Sequence, residues 1–226
     1  AYQGADLILL NGAGYAKWVD RAALPSSRVV NTSDAISDRL LPIKGTVTHS
    51  HGPEGEHEHG GYAFTTWLDP ELATLQAQTI AAAISVLRPD DEPEIGQRLE
   101  SLKSNRADID GRLAFAAEAL GDDPLLFSHP VYQYLIGRYG LNGVEVHWEP
   151  DQAPTGHAWE HLEELLDSYQ ARWMLWEGEP LEATVRGLEE RGVSSIVFDP
   201  CANRPAEGDY LSVMAANAVA LEGLAR

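Results

Sequence analysis

The chain has 226 residues, of which 44% are apolar, so it can form one large domain or two smaller lobes around a hydrophobic core. Its 35 acidic residues outnumber 16 basic ones, which gives a formal net charge of -19. Such a surface repels nucleic acid and anionic membranes and attracts cations. With Cys201 as its single cysteine, the chain cannot form an intrachain disulfide or a zinc site built from several cysteines.

The first predicted elements are two short strands. The apolar run ADLILL, residues 5–10, ends at Asn11-Gly12 and predicts a buried parallel strand followed by a turn. Residues 27–31 predict a second strand, with a weak helix over 17–23 between the two. The opening residues lack a basic region and a cleavage pattern, so we expect no signal peptide in this chain. No apolar run reaches the ~20 residues of a membrane span.

A histidine-rich segment follows at residues 48–61. Four of the eight histidines of the chain fall here, interleaved with glutamates: His49, His51, His57 and His59. Several glycines and a proline predict an irregular loop rather than a helix or strand. Imidazole and carboxylate are ligands that divalent zinc prefers, so the composition predicts metal binding, with a solvated polar loop as the alternative.

Two helices are predicted next. Asp69-Pro70 is a helix start signal, with aspartate as the N-cap and proline at the first helical position, and the apolar spacing continues until Pro89. Residues 92–120 form the longest periodic segment, closed by Gly121. A helix of this length can span the whole molecule.

From residue 123 onward, short apolar strands alternate with helices. The strands are predicted at 125–127, 144–148, 173–176 and 195–198, and the helices at 132–138, 158–170, 180–191 and 210–225. This alternation predicts a parallel sheet covered on both faces. We therefore expect an N-terminal lobe over residues 1–90, a spanning helix over 91–121 and a C-terminal lobe over 122–226.

Two polar residues lie just behind predicted strands. His129 comes after strand 125–127, and Asp199 comes after strand 195–198. Because ligands bind at the carboxyl ends of parallel strands, we expect both side chains at one edge, where they can share a metal ion. A histidine satisfied by backbone and an aspartate that caps its own turn are the alternatives.

Other polar residues carry weaker signals. Glu177 ends a strand and is predicted either to orient an imidazole or to be a solvated carboxylate. His147 alternates with Val146 and Trp148, so we interpret it as structural, and His157 and His161 are expected on a solvated helix face. Nucleophile elbow, zinc-protease, P-loop and dinucleotide motifs are absent from the sequence, so we do not expect an enzyme.

Several stretches resemble the zinc and manganese receptors among the solute-binding proteins of bacterial ABC transporters. They are, in the order typical of that family, ADLILLNGAGYAKWVD, TWLDPEL behind a histidine-rich insertion, LLFSHPVYQYLIGRYGL, SSIVFDP and YLSVMAANAVALEGL. The resemblance implies two parallel-sheet α/β lobes joined by one long spanning helix, with metal in the cleft between them.

The resemblance also implies which residues bind the metal. His129 occupies the place of the second-lobe histidine ligand, and Asp199 that of the aspartate ligand. Thr65 stands where the family has a ligand histidine, two residues before Trp67. The chain also begins about one strand–helix–strand unit later than the family pattern, so we expect an incomplete N-terminal lobe.

The function implied is that of a monomeric receptor in the periplasm or another extracytoplasmic compartment. It would capture zinc, with manganese as the other candidate cation, and present it to an ABC transporter permease. The departure at Thr65 keeps open a receptor of the same fold for a non-metal or chelated ligand. A metal-dependent hydrolase built from His129, Asp199 and a loop histidine is the remaining alternative.

Overall fold

The structure, a computed structural model, describes residues 2–43, 47–50, 56–59 and 61–224, with only the backbone described for 47–50 and 56–59. The chain divides into two compact units, Ala1–Ser104 and Asn105–Arg226. The predicted division at residues 90 and 121 stays a prediction. Within the described ranges, no helix is long and apolar enough to cross a membrane.

The first unit contains a two-stranded parallel sheet. Strand β1 (Ile8–Leu10) pairs with β2 (Val29–Asn31), so each predicted segment contains a strand that is shorter than expected. The first strand is not fully buried as predicted, because Leu9 is exposed. The helix expected over residues 17–23 is a short 3-10 helix instead, at Lys17–Arg21. Further 3-10 helices in this unit lie at Tyr2–Gly4, Ser26–Arg28, Thr32–Arg39, Thr66–Leu68 and Pro89–Asp91.

The histidine-rich segment forms a β-hairpin rather than an irregular loop. Strand β3 (Val47–Ser50) pairs antiparallel with β4 (Glu56–His59), and the register places His49 opposite His57. The prediction of no strand was therefore wrong for these residues. Their sequence has the two-residue alternation of a strand, and the proline and two glycines of residues 51–55, which motivated the prediction, separate the two strands. His51 lies outside the described residues.

Two helices complete the first unit and lead out of it. Helix α1 (Pro70–Leu87) begins as predicted, because Oδ1 of Asp69 accepts hydrogen bonds from the backbone N–H groups of Glu71 at 2.8 Å and Leu72 at 3.3 Å. Helix α2 (Glu92–Leu120) has the predicted bounds. Since the boundary between the units follows Ser104, α2 belongs to both.

The second unit is built on a four-stranded parallel sheet. Its strands are β5 (Leu125–Phe127), β6 (Gly143–Glu145), β7 (Trp173–Trp176) and β8 (Ser194–Val197), in the spatial order β6-β5-β7-β8. Its further helices are α3 (Gln133–Tyr139), α4 (Gly156–Tyr169), α5 (Glu182–Glu189) and α6 (Tyr210–Leu224). The expectation of parallel-sheet α/β units with one long helix is confirmed. Strand β6, however, ends three residues before the predicted position, Trp148.

The core of this unit lies against the sheet. Leu126 of β5 and Met174 and Trp176 of β7 are fully buried, and Leu162 of α4 packs with them. The C-terminal half of α2 buries its apolar face, and Arg112 there bonds Glu222 of α6 through two contacts of 2.7 and 2.9 Å. This dense core makes the carboxyl edge of the sheet a rigid base for polar side chains.

Candidate metal centre

His129 lies at the carboxyl end of β5, where the sequence placed it. Its side chain is only 3% exposed. The preceding residue, Ser128, continues the ladder, because its N–H donates to the Leu175 carbonyl at 2.8 Å and its own carbonyl accepts from Trp148 N–H at 2.6 Å. The imidazole is therefore held by a well-bonded backbone at the edge of the sheet.

Both ring nitrogens of His129 have close oxygen neighbours. Nδ1 lies 3.2 Å from the carbonyl oxygen of Trp148 and 3.4 Å from Oε1 of Glu177. A backbone carbonyl can only accept a hydrogen bond, so the contact requires a proton on Nδ1. In the neutral ring, Nε2 then carries the lone pair that binds metals.

Glu149 lies on the lone-pair side of the ring. Its Oε1 is 3.3 Å from Nε2 of His129, and its side chain is 30% exposed. A lone pair and a carboxylate oxygen at this distance repel one another unless a proton or a metal cation lies between them. One ligand atom from each of His129, Glu149 and Glu177 lies within 4.8 Å of the others. Nitrogen and carboxylate oxygen are donors that zinc accepts.

Glu177 follows β7 and approaches the other nitrogen. Its backbone N–H donates to Oγ of Ser128 at 3.3 Å, which fixes the chain where the side chain leaves it. The sequence offered two possibilities for this residue, and the contact with Nδ1 fits the one that orients an imidazole. Glu177 and the Trp148 carbonyl together hold the ring with Nε2 toward Glu149.

Sequence reasoning missed Glu149. The residue directly follows the strand that was predicted to end at Trp148, so the rule that selected His129 and Asp199 applied to it equally. Its contact with His129 depends on an irregularity in the chain that no sequence pattern shows.

That irregularity is a one-residue bulge at His147. The Val146 N–H donates to the Phe127 carbonyl at 2.9 Å, and the Trp148 N–H donates to the carbonyl of the very next residue, Ser128. A regular parallel ladder would advance two residues on both strands, so one residue is extra on this side. His147 is that residue, with a left-handed φ of +58°. The bulge moves Trp148 and Glu149 back by one position relative to the neighbouring chain, so that the Glu149 side chain lies beside His129.

The bulge also corrects the interpretation of His147 as a residue of a regular strand. Its side chain is exposed, whereas its neighbours Val146 and Trp148 are buried. Its ring centroid lies 6.4 Å from that of His129. Partial burial and the nearby His129 both lower the pKa of His147 below its usual value.

Asp199 lies after β8, as predicted, but its carboxylate has a local partner. Oδ1 accepts a hydrogen bond from the Cys201 N–H at 2.7 Å. The backbone N–H and carbonyl of Asp199 are both bonded by the buried side chain of Asn217, at 3.0 and 2.7 Å. Within the described residues, the group gathered around His129 contains Glu149 and Glu177 but not Asp199. Its role as a ligand stays a prediction.

Buried Tyr132 lies near the acidic groups of this edge. Burial raises its pKa well above the usual value, and the negative charges of Glu177 and Asp199 raise it further. Its hydroxyl donates to the Phe198 carbonyl at 2.7 Å, so the phenol is neutral and links β8 to the helix that follows His129. Tyr132 is therefore a neutral, hydrogen-bonded ring that is near enough to Glu177 and Asp199 to be influenced by their charges.

The sequence profile of the family described as zinc-uptake complex component A, periplasmic (ZnuA), matches residues 1–223. The chain belongs to this family. Members of the ZnuA family are metal-binding receptors of ABC importers rather than enzymes, so the resemblance is confirmed and the hydrolase alternative is wrong. No curated protein matches the chain at the level of sequence.

Solved structures similar to this ZnuA-family chain share its fold. The metal-dependent lipoprotein YcdH from Bacillus subtilis superimposes with a TM-score of 0.79 at 22% identity, over 98% of this chain and 80% of its own. The Zn(II)-bound ZnuA-like domain of Streptococcus pneumoniae AdcA has a TM-score of 0.78 at 19% identity, with the same coverage. A crystal structure of ZnuA has a TM-score of 0.68 at 19% identity, over 99% of this chain and 79% of its own.

Proposed function

We propose that this protein captures a zinc ion at the cluster of His129, Glu149 and Glu177 and presents it to the permease of an ABC importer. The observation that supports the proposal most strongly is the 3.3 Å approach of Glu149 Oε1 to His129 Nε2. With the proton on Nδ1, the gap between these atoms favours a cation. Zinc binds to imidazole nitrogen and carboxylate oxygen at about 2.0–2.2 Å.

The roles of the three residues differ. His129 Nε2 and the Glu149 carboxylate contact the ion, whereas Glu177 accepts the Nδ1 proton and sets the ring orientation. A carboxylate behind an imidazole also increases its basicity and hence its affinity for metal. The donor set of one nitrogen and carboxylate oxygens is open to manganese as well, which is the alternative cation.

Two further features are assigned to capture. The net charge of -19 attracts cations from solution. The hairpin, with His49, His57 and His59 on its strands and His51 between them, is proposed to bind the ion weakly before the cluster binds it tightly. Asp199 is proposed to join the ion once its bond to Cys201 is released.

An extracytoplasmic location is part of this proposal. It is supported by the description of the family as periplasmic and by that of the similar YcdH as a lipoprotein. An ion captured there is passed to a permease in the membrane. We propose that the receptor does this as a monomer.

The test is a zinc titration of the 226-residue chain, purified without a metal column, in competition with a chromophoric chelator. We expect one tight equivalent per chain in the unaltered protein and weaker sites beyond it. His129→Ala removes the nitrogen ligand and is expected to weaken the tight site by more than about a hundredfold, because even an outer partner is worth 10- to 100-fold. The matched control is His161→Ala, an exposed histidine on α4.

The outcomes separate the candidates. Equal zinc affinity in His129→Ala and His161→Ala contradicts the cluster as the binding site. Absence of any tight equivalent in the unaltered protein favours a receptor for a chelated or non-metal ligand, for which the buried Thr65 in place of a histidine is the main support.

A further inference from the structure

We infer that His147 is a further ligand of this centre and supplies a second imidazole to the ion held by His129 and Glu149. The inference rests on the proposed function, because it assumes that an ion binds at the cluster. His147, the extra residue of the bulge, is thereby assigned a binding role. The alternation of a regular strand had predicted a structural role for it.

The first support is the donor count. With Glu177 engaged at Nδ1, the side chains placed to contact the ion are His129 and Glu149. Zinc sites in proteins use at least three protein ligands. With Asp199, which is proposed to join the ion, the set reaches three, and the fourth position of a tetrahedral zinc is left for a residue beside the cluster.

The second support is the position of the side chain. His147 and Glu149 are the two residues that flank Trp148, whose ring is buried in the core. Both are accessible to solvent, while Val146 is buried on the other side of His147. The bulge thus presents an imidazole and a carboxylate beside the same buried histidine.

The third support is distance. The ring centroids of His129 and His147 are 6.4 Å apart, with an interplanar angle of 60°. Two imidazoles that share a tetrahedral zinc have centroids roughly 5–6 Å apart, given Zn–N bonds of about 2.0–2.1 Å. An exposed side chain closes this difference by rotation about its χ angles, without movement of the sheet.

The fourth support is the backbone. His147 adopts φ +58°, a region that favours glycine and in which asparagine, aspartate and histidine are enriched among the other residues. Residues held in this region away from helix ends cluster at functional sites, and bulges commonly re-aim a side chain there.

The experiment uses the 226-residue chain with the four hairpin histidines replaced by serine, so that their imidazoles do not contribute. In this background His147→Asn and His147→Gly are compared with His161→Ala. Both substitutions at 147 suit a left-handed backbone and remove the imidazole, so they preserve the bulge. Melting temperature without metal checks that each variant is folded.

Two readouts are taken at one equivalent of zinc. X-ray absorption is expected to count two imidazoles around the ion in the background protein and in His161→Ala, and one in either His147 variant. Zinc affinity, measured by chelator competition, is expected to fall at least tenfold in both His147 variants and to stay unchanged in His161→Ala.

An unchanged affinity and a single imidazole in every protein would overturn the role of His147 while leaving the proposed function standing, provided that His129→Ala still abolishes the tight site. If His129→Ala also has no effect, the proposed function itself fails. A loss of affinity in His147→Asn that His147→Gly does not share would assign the effect to the turn and also overturn the inference.

Discussion

Nε2 of His129 lies 3.3 Å from Oε1 of Glu149, and the neutral ring with its proton on Nδ1 has no hydrogen to donate across this gap. The two residues are twenty positions apart in the chain and come from the ends of neighbouring strands. Their approach is produced by the bulge at His147, which moves Glu149 one position back along the edge. The candidate metal centre is thus a consequence of strand register as much as of residue type.

The first prediction compares the two carboxylates. Glu149→Gln removes a charged ligand, so zinc affinity is expected to fall by about a hundredfold or more. Glu177→Gln retains an oxygen that accepts from Nδ1–H, so its affinity is expected to fall by only about tenfold. Chelator competition on the 226-residue chain measures both, with Glu160→Gln, a change of an exposed carboxylate on α4, as the control. A larger loss of zinc affinity in Glu177→Gln than in Glu149→Gln would indicate that the ion binds at Nδ1 instead.

The second prediction concerns Glu145 and stability without metal. Burial raises the pKa of Glu145 to about 7, from an ordinary value of 4.5. The folded state therefore keeps a proton that the unfolded state releases between these values, so this group makes stability decrease as pH rises from 4.5 through 7. Glu145→Gln, neutral throughout, is expected to melt a few degrees above the unaltered protein at pH 8 and at the same temperature at pH 4.5.

The control for this measurement is Glu182→Gln, a change of an exposed carboxylate at the start of α5. Melting curves at both pH values, recorded with a chelator present, separate folding from metal binding. A constant difference between Glu145→Gln and the unaltered protein at the two pH values would show that the pKa of Glu145 is the same in the folded and unfolded states.

The third prediction is that the hairpin is dispensable for folding. Strands β3 and β4 pair with each other in a separate two-stranded sheet. The residues before and after the hairpin are already joined by a hydrogen bond, from the Ile43 N–H to the Gly61 carbonyl at 2.9 Å. Replacement of residues 44–60 by a short glycine-serine turn is expected to leave the metal-free melting temperature within about 2 °C of the original, because surface loops contribute little to the core.

Zinc binding of this variant is informative as well. The tight equivalent is expected to remain and the weaker sites to disappear, since the cluster lies in the second unit and the histidines of the hairpin in the first. A variant in which all four hairpin histidines are serine provides the matched control at full length. Loss of the tight site in either protein would show that the hairpin, rather than the cluster, forms it.

The fourth prediction tests Asp199. Asp199→Asn keeps an oxygen that accepts from the Cys201 N–H, so the turn and its clamp by Asn217 are expected to persist and the melting temperature to stay unchanged. If the residue contacts the ion, loss of its charge lowers zinc affinity, and we expect at least a tenfold decrease. Affinity equal to that of the unaltered protein would limit Asp199 to its role in the turn.

The sequence by itself determined the elements whose causes are local. The N-cap Asp69, the stop at Pro89 and the apolar period of α2 each act within a few residues, and the structure places both helices as these signals predict. The apolar runs of the second unit likewise predicted β5 and β7 with their observed bounds. The position of His129 followed from the same reasoning, because a residue after a buried strand has to lie at the edge of the sheet.

Only the tertiary structure decided how that edge is assembled. The bulge at His147 depends on which carbonyl of β5 each N–H of the neighbouring strand meets, and a shift of one residue leaves the sequence pattern unchanged. The partners of His129 follow from that register, so Glu149 was missed. Pairing of His49 with His57 in the hairpin is likewise a matter of register. Local patterns encode which residues form a strand, whereas contacts between distant residues depend on the alignment of whole strands in space.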